Sequence, residues 1–165
     1  MFFLYYYNTY PQIKNLNQQL YYRYPIVSTS DQGTCQKVFE AILKGIQGEA
    51  TAIEFYSRLA KIAPNQTAQE DVLHALEDEK VHLNEFTKLY VKMTGIQPNI
   101  QITPIQFNTF KEGLNIAYRD ELEAYEFYRN VYLMTQNLTV RDVLLRGFTD
   151  EIEHATRFGF LLLNL

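Results

Sequence analysis

Apolar and polar positions follow a helical period from residue 34 to the end of the chain. Apolar side chains recur at steps of three and four residues, the spacing that keeps one face of a helix against a core. Sequence signals for helix N-caps occur at Thr67, Thr103 and Thr139. With the intervening stop signals, they predict helices over 35–62, 67–93, 105–135 and 139–163. We therefore expect an all-α fold, a four-helix bundle.

Each of the four apolar stripes contains one glutamate at a position where an apolar residue is expected. These are Glu49, Glu79, Glu121 and Glu151. A buried carboxylate without a partner is strongly unfavourable, so four of them need a shared partner. Lysine and arginine lie off the stripes, which makes a bound cation the natural partner. A bundle with four buried glutamates and no metal is the alternative, and the desolvation cost argues against it.

Two of these glutamates are followed three residues later by histidine. The pairs are Glu79 with His82 and Glu151 with His154. Residues three apart lie on one face of a helix, about one turn apart, so both side chains can bind the same metal ion. One such pair in a helical protein is commonly chance, but two pairs on two apolar stripes are typical of a metal site.

The spacing of these residues indicates an internal duplication. The interval from Glu49 to Glu79 equals the interval from Glu121 to Glu151, and His154 stands in the second half where His82 stands in the first. In each hairpin both ligand positions then lie about 22 Å from the turn, at 1.5 Å per residue. Four carboxylates and two imidazoles in one layer suit a pair of transition metals, and these donors favour iron or manganese.

Composition and charge exclude several other classes of protein. The chain has 165 residues, a length typical of one domain, and a net charge of −4, without the basic surface that nucleic-acid binding needs. It contains no run of about 18 apolar residues that would span a membrane. Cys35 is the single cysteine, so an intramolecular disulfide and a CxxC motif are excluded. We expect a cytoplasmic protein.

The start of the chain differs in composition from the rest. Residues 1–30 contain no acidic residue and seven of the thirteen tyrosines. We therefore divide the chain into a tyrosine-rich arm at 1–33 and a helical domain at 34–165. The arm is either an irregular terminus or a docking segment for a partner, since tyrosine supplies contact area at low entropic cost.

The pattern of a lone glutamate on helices 1 and 3 and ExxH on helices 2 and 4 resembles the di-iron carboxylate proteins of the ferritin-like superfamily. Within that superfamily the chain is most similar to the rubrerythrin-like branch, over about residues 36–162. The resemblance implies a ferritin-like bundle with a crossover connection, in which Glu79 and Glu151 bridge two iron ions, with manganese also possible. It also implies supporting roles around the ligands for Asp78, Asp150, Tyr56 and Tyr128, although both tyrosines can equally be plain core residues.

The chain departs from full rubrerythrins in two respects. It lacks the two CxxC motifs of a rubredoxin-like iron site, and it has Ala124 where rubrerythrins tend to carry a further glutamate. The resemblance then implies an enzyme that reduces peroxide or dioxygen, or oxidises ferrous iron, with an external electron donor of the rubredoxin or reductase type. A homodimer is compatible with the apolar outer faces.

Two other functions remain open at this point. One is a structural or assembly protein whose metal staples the bundle and whose arm docks it into a larger body, such as a protein coat or a spore. The other is a dimanganese site with catalase-like activity, which the same ligand set allows.

Overall fold

The computed structural model describes residues 32–165, which form four long helices joined end to end. Helix α1 spans Gln32–Leu59, α2 Gln66–Thr94, α3 Phe110–Met134 and α4 Leu138–Leu163, and a short 3-10 turn, Ala60–Ile62, follows α1. No strand occurs among these residues. The predicted ferritin-like four-helix bundle is confirmed.

The helix starts lie close to the predicted ones but use different caps. The side chain of Asn65 accepts a hydrogen bond from the Ala68 amide, and Asn137 does the same for α4, so the threonines at 67 and 139 lie inside their helices. The predicted start of the third helix at residue 105 is wrong. Thr109 caps α3 through the Glu112 amide, and the preceding residues are not helical because they are hydrogen-bonded to α1.

Residues 95–109 form the crossover that connects the two hairpins. Gly95, with a φ of 73°, ends α2 in the left-handed conformation that glycine adopts without strain. The segment then runs along α1 in the same direction. The Thr103 amide donates to Thr51 Oγ1 near the middle of α1, and Arg58 Nη2 donates to the Ile105 carbonyl near its end, at 2.7 Å. The connection therefore returns the chain to the end of the bundle where α1 stops, and α3 begins there.

Two apolar clusters fill the bundle, one towards each end. The first joins the end of α1 and the start of α2 to the start of α3 and the end of α4, with Leu59, Leu114 and Phe158 fully buried. The second joins the four opposite ends, around Ile42 and Phe86. The glutamate positions of all four helices lie between these clusters, so the apolar layers exclude water from both sides of that level.

The apolar pattern of the third helix predicts an inward stripe of Leu114, Tyr118, Glu121, Tyr125, Tyr128 and Tyr132, and this prediction is right in part. Leu114, Glu121 and Tyr128 face the interior, but the other interior positions are taken by smaller residues, namely Ala117, Ala124 and Val131. The tyrosines at 118, 125 and 132 are half-buried at the side and pack against Gly159 and Phe148 of α4. The small residues leave space at the centre of the bundle, next to Glu121.

The predicted arm at residues 1–33 lies almost entirely outside the described part of the chain. Its boundary with the helical domain at residue 34 stays a prediction. None of the helices between residues 32 and 165 combines the length and the apolar character needed to cross a bilayer.

Candidate metal centre

The structure brings six predicted ligand residues together in the middle of the bundle, with at most 3% of any of them exposed to solvent. They are Glu49 on α1, Glu79 and His82 on α2, Glu121 on α3, and Glu151 and His154 on α4. Each helix delivers its glutamate from the inward face, so the convergence follows from the register of the four apolar stripes. Their ligand atoms form two groups of four, and within each group all atoms lie within 4.8 Å of one another.

Two carboxylates belong to both groups. Glu79 directs Oε2 towards His82 Nδ1 at 3.1 Å and Oε1 towards His154 Nδ1 at 3.5 Å. Glu151 also divides its two oxygens between the histidines, with Oε1 at 3.6 Å from His82 Nδ1 and Oε2 at 3.3 Å from His154 Nδ1. Each of these carboxylates thus offers one oxygen to each half of the centre, the arrangement that a bridging carboxylate requires.

Aspartates hold the outer edges of both imidazole rings, across the two hairpins. His82 Nε2 donates to Asp150 Oδ2 at 3.0 Å, and His154 Nε2 donates to Asp78 Oδ2 at 3.2 Å. With both Nε2 atoms engaged in this way, both Nδ1 atoms face the glutamates. Such outer hydrogen bonds fix ring orientation and raise the basicity of a ligating histidine.

Tyrosines support the two remaining glutamates, again across the hairpins. Tyr56 Oη donates to Glu121 Oε1, and Tyr128 Oη donates to Glu49 Oε1. Both tyrosines are almost fully buried. Every one of these supporting contacts joins one half of the duplication to the other, so the centre forms only when the two hairpins dock.

Replacing Tyr128 by phenylalanine is expected to lower the free energy of unfolding of the metal-free protein by about 1–3 kcal/mol, because a buried hydrogen bond to a carboxyl group is lost without change of shape. Urea denaturation measures this difference. Tyr56→Phe should give a loss of similar size, because Tyr56 makes the equivalent hydrogen bond to Glu121 in the other half. Tyr132→Phe, at a half-buried position away from the carboxylates, serves as the control. Equal stability of Tyr128→Phe and the unsubstituted protein would contradict the assignment.

The protonation of the centre follows from its burial and its crowding. Burial, assisted by Glu79, raises the pKa of Glu49 well above its usual range, and burial among the other glutamates does the same for Glu151. Burial opposes charge on His82, but hydrogen bonds to Asp150 and Glu79 raise its pKa to about 12. The pKa of His154 is raised in the same way by Glu121, Glu151 and Glu79. The metal-free centre therefore retains protons that a bound cation would replace.

These side chains fit a pair of transition metals. Both ring nitrogens of each histidine face carboxylate oxygens, so in the metal-free protein each Nδ1 needs a proton to avoid placing two lone pairs against each other. A metal ion would take the place of that proton. Carboxylate oxygens with imidazole nitrogens are the donor set of iron and manganese sites.

A cavity of about 30 Å³ opens on the centre between α1 and α3. Ala52, Phe55 and Ala124 form apolar parts of its wall, and the glutamates form its floor. Ala124 occupies the place where rubrerythrins tend to carry a glutamate, and its small side chain leaves this space open.

The sequence patterns missed two residues beside the centre. Asp120 is half-buried and lines the cavity, and burial raises its pKa to about 7. His74 is half-exposed and lies with Nε2 3.3 Å from Asp78 Oδ2. The place of Asp120 in the cavity wall depends on contacts between helices, which the periodicity of a single helix does not reveal. His74 lies one turn before Asp78 on the same helix, so helical spacing could have paired these two residues, whereas its contact with the ring of His154 depends on the packing of α2 against α4.

Sequence comparison identifies the family of the chain. Residues 40–162 match the family model described as Rubrerythrin. The chain belongs to the rubrerythrin family. It is also 32% identical over 144 residues to the uncharacterized protein YhjR of Bacillus subtilis (strain 168), a match that covers 87% of this chain and 97% of that protein.

Solved structures share the same fold. A ferritin-like, diiron-carboxylate protein from Bacillus anthracis superposes with a TM-score of 0.67 at 20% identity, over 78% of this chain and 97% of that one. A two-domain protein from Anabaena variabilis, with DJ-1/ThiJ/PfpI-like and ferritin-like domains, gives 0.66 at 12% identity over 79% of this chain. The match spans 37% of the length of that larger protein. At these identities the similarity establishes the fold.

Proposed function

We propose that this member of the rubrerythrin family is a dinuclear iron oxidoreductase that reduces peroxide or dioxygen, or oxidises ferrous iron. The observation that carries the proposal is that Glu79 and Glu151 each direct one oxygen to each of two buried histidines. Two iron ions held there would supply the two electrons that convert one peroxide and two protons into two waters. An external donor of the rubredoxin or reductase type would return those electrons.

The protein side chains prepare the centre for this reaction. In this proposal Glu49, Glu79, Glu151 and His82 would hold one ion, and Glu79, Glu121, Glu151 and His154 would hold the other. Asp78 and Asp150 keep the histidine rings in place, and Tyr56 and Tyr128 keep Glu121 and Glu49 in place. These contacts restrict the ligand side chains to one arrangement, which lowers the entropic cost of binding the ions.

The cavity between α1 and α3 gives the oxidant its access. It ends on Glu49, Glu79, Glu121 and Glu151, so a small oxidant in it lies against the carboxylates of both halves. The apolar clusters on either side of the centre restrict water, which strengthens electrostatic interactions inside it.

The proposal is tested by anaerobic titration of metal-free protein with Fe(II), followed by stopped-flow mixing with peroxide and, separately, with dioxygen. Two irons per chain and faster oxidation by peroxide would support a peroxide-reducing enzyme. Faster oxidation by dioxygen would support a ferroxidase or an oxygen-reducing enzyme. Fewer than two irons bound per chain would contradict the dinuclear centre.

Two further measurements, on manganese-loaded protein and on thermal stability, separate the alternative functions. Turnover of peroxide by the manganese-loaded protein without any reductant would replace the proposal with a dimanganese catalase. Negligible turnover with either metal, together with a large loss of melting temperature on metal removal, would instead establish a structural role for the ions.

Ala124→Leu is expected to slow oxidation of the Fe(II)-loaded protein by peroxide about tenfold, equivalent to about 1.4 kcal/mol in the barrier, because the larger side chain fills the cavity. The number of irons bound should remain two, since Ala124 offers no ligand atom. Stopped-flow absorbance measures the rate. Asn130→Leu, at an exposed position of the same helix, is the matched control. An unchanged rate in Ala124→Leu would show that the oxidant enters elsewhere.

A further inference from the structure

The two halves of the centre make nearly equivalent contacts, but their outer surroundings differ. Beyond the ring of His154, the half-exposed His74 lies with Nε2 3.3 Å from Asp78 Oδ2, the oxygen that accepts from His154 Nε2 at 3.2 Å. The rings of His74 and His154 also meet edge to face, with centroids 5.9 Å apart. His74 thus contacts both the aspartate and the ring that the aspartate holds.

The equivalent position in the second hairpin does not repeat this arrangement. In the register that aligns Glu79 with Glu151, His74 corresponds to Arg146. The Arg146 side chain turns outwards and donates to Glu85 Oε1 at 2.6 Å. Glu85 lies on α2 one turn beyond His82, so this ion pair ties α4 to α2 without placing an imidazole against Asp150.

We propose that His74 is a positioning residue that acts through Asp78 on His154, and that it makes the half-site of Glu79, Glu121, Glu151 and His154 the tighter of the two for the first metal ion. The inference rests on the proposed dinuclear centre and adds to it the order in which the two half-sites bind their metal ions. Nothing in the duplicated ligand pattern by itself distinguishes the two halves.

The physical basis of the proposal is the rotational freedom of the Asp78 side chain. About a third of the Asp78 side chain is exposed to solvent, as is a similar fraction of Asp150, so either carboxylate can rotate away and form hydrogen bonds with water. His74 restrains Asp78 from the solvent side, which keeps Nε2 of His154 engaged and its Nδ1 directed at Glu121 and Glu151. The side chains of this half-site then lose less conformational entropy when a metal ion binds. Loss of such outer partners typically lowers metal affinity by about 10–100-fold.

The test is an anaerobic titration of the full metal-free chain with Co(II), followed by visible absorption and calorimetry. The unsubstituted protein should bind two ions in two resolved steps. His74→Ala should weaken the tighter step about tenfold, the lower end of the range for outer partners, and leave the weaker step unchanged. Arg146→Ala, the substitution at the corresponding exposed position of the second hairpin, should leave the tighter step unchanged. His74→Gln, which keeps an N–H donor, should restore most of the affinity.

A double-mutant cycle shows whether the effect passes through Asp78. In an Asp78→Asn background, His74→Ala should produce no further loss of Co(II) affinity, because the residue it acts on is already altered. Two additive losses would overturn the inference, as would equal weakening of both steps in His74→Ala or two indistinguishable steps in the unsubstituted protein. Each of these outcomes leaves the dinuclear centre itself intact. Binding of fewer than two Co(II) ions by the unsubstituted protein would instead overturn the proposed function.

Discussion

Replacing Glu79 or Glu151 by glutamine is expected to reduce the number of metal ions bound from two per chain to at most one, with affinity for the remaining ion lowered by at least about 100-fold. These carboxylates are common to both groups of candidate ligands, and each directs one oxygen to each half. Glutamine preserves the shape of the side chain but removes its charge and one of its two acceptor oxygens. Loss of either carboxylate therefore damages both half-sites at once.

Equilibrium dialysis against Fe(II) or Mn(II) under anaerobic conditions, followed by elemental analysis, measures this effect. Glu77→Gln is the matched control, since Glu77 lies on the same helix, is exposed and pairs with Lys80 instead of the centre. Glu49→Gln and Glu121→Gln should each damage one half more than the other, because each belongs to only one group. Two ions bound with unchanged affinity in both the Glu79 and Glu151 variants would refute the bridging assignment.

The stability of the metal-free protein is expected to fall as pH rises, the reverse of the behaviour of a protein held by ordinary carboxylate ion pairs. Raised pKa values at His82, Glu49 and Glu151 mean that the folded state holds protons that the unfolded state releases. The contribution of His82 is fully present below its unfolded pKa near 6.5 and is lost progressively towards about 12. The lowered pKa of Glu79 acts only below about pH 4.5, the usual pKa of a glutamate.

The size of the effect follows from proton linkage. Each proton that only the folded state holds contributes a slope of about 1.4 kcal/mol per pH unit. Between pH 6.5 and 8.5, His82 alone should lower the free energy of unfolding by about 2 kcal/mol, since the unfolded ring loses its proton over this range. Urea denaturation at both pH values measures the change, and His82→Gln should reduce the slope.

Metal binding should reverse this dependence. A bound ion takes the place of the protons, so its affinity, and with it the stabilisation it provides, rises with pH. The metal-loaded protein should accordingly exceed the metal-free protein in melting temperature by a larger margin at pH 8.5 than at pH 6.5. Metal-free protein that becomes more stable with rising pH would contradict the protonation described for the centre.

Much of the centre could be predicted because its signals lie along single helices. A carboxylate on each apolar stripe, the two ExxH pairs and the repeat of both in the second hairpin depend on helical periodicity, and the periodicity holds for each helix by itself. The predicted start of the third helix failed for the opposite reason. Thr103 has the local signature of a cap, but its amide donates to Thr51 of α1, and residues 103–109 are not helical. That contact joins distant segments, so the sequence around Thr103 does not reveal it.

The direction of the second hairpin could not be predicted from the order of residues. The connection between the predicted helices was long enough for either direction, and the contacts of the crossover with α1 determine which one occurs. The convergence of six ligand residues at one level was predictable, because burying a carboxylate without a partner is costly and the pattern occurs twice. The cavity beside Ala124, Asp120 in its wall and His74 against the ring of His154 became visible only in the folded bundle. They depend on side chains from different helices, and a pattern along one helix carries no information about its neighbour.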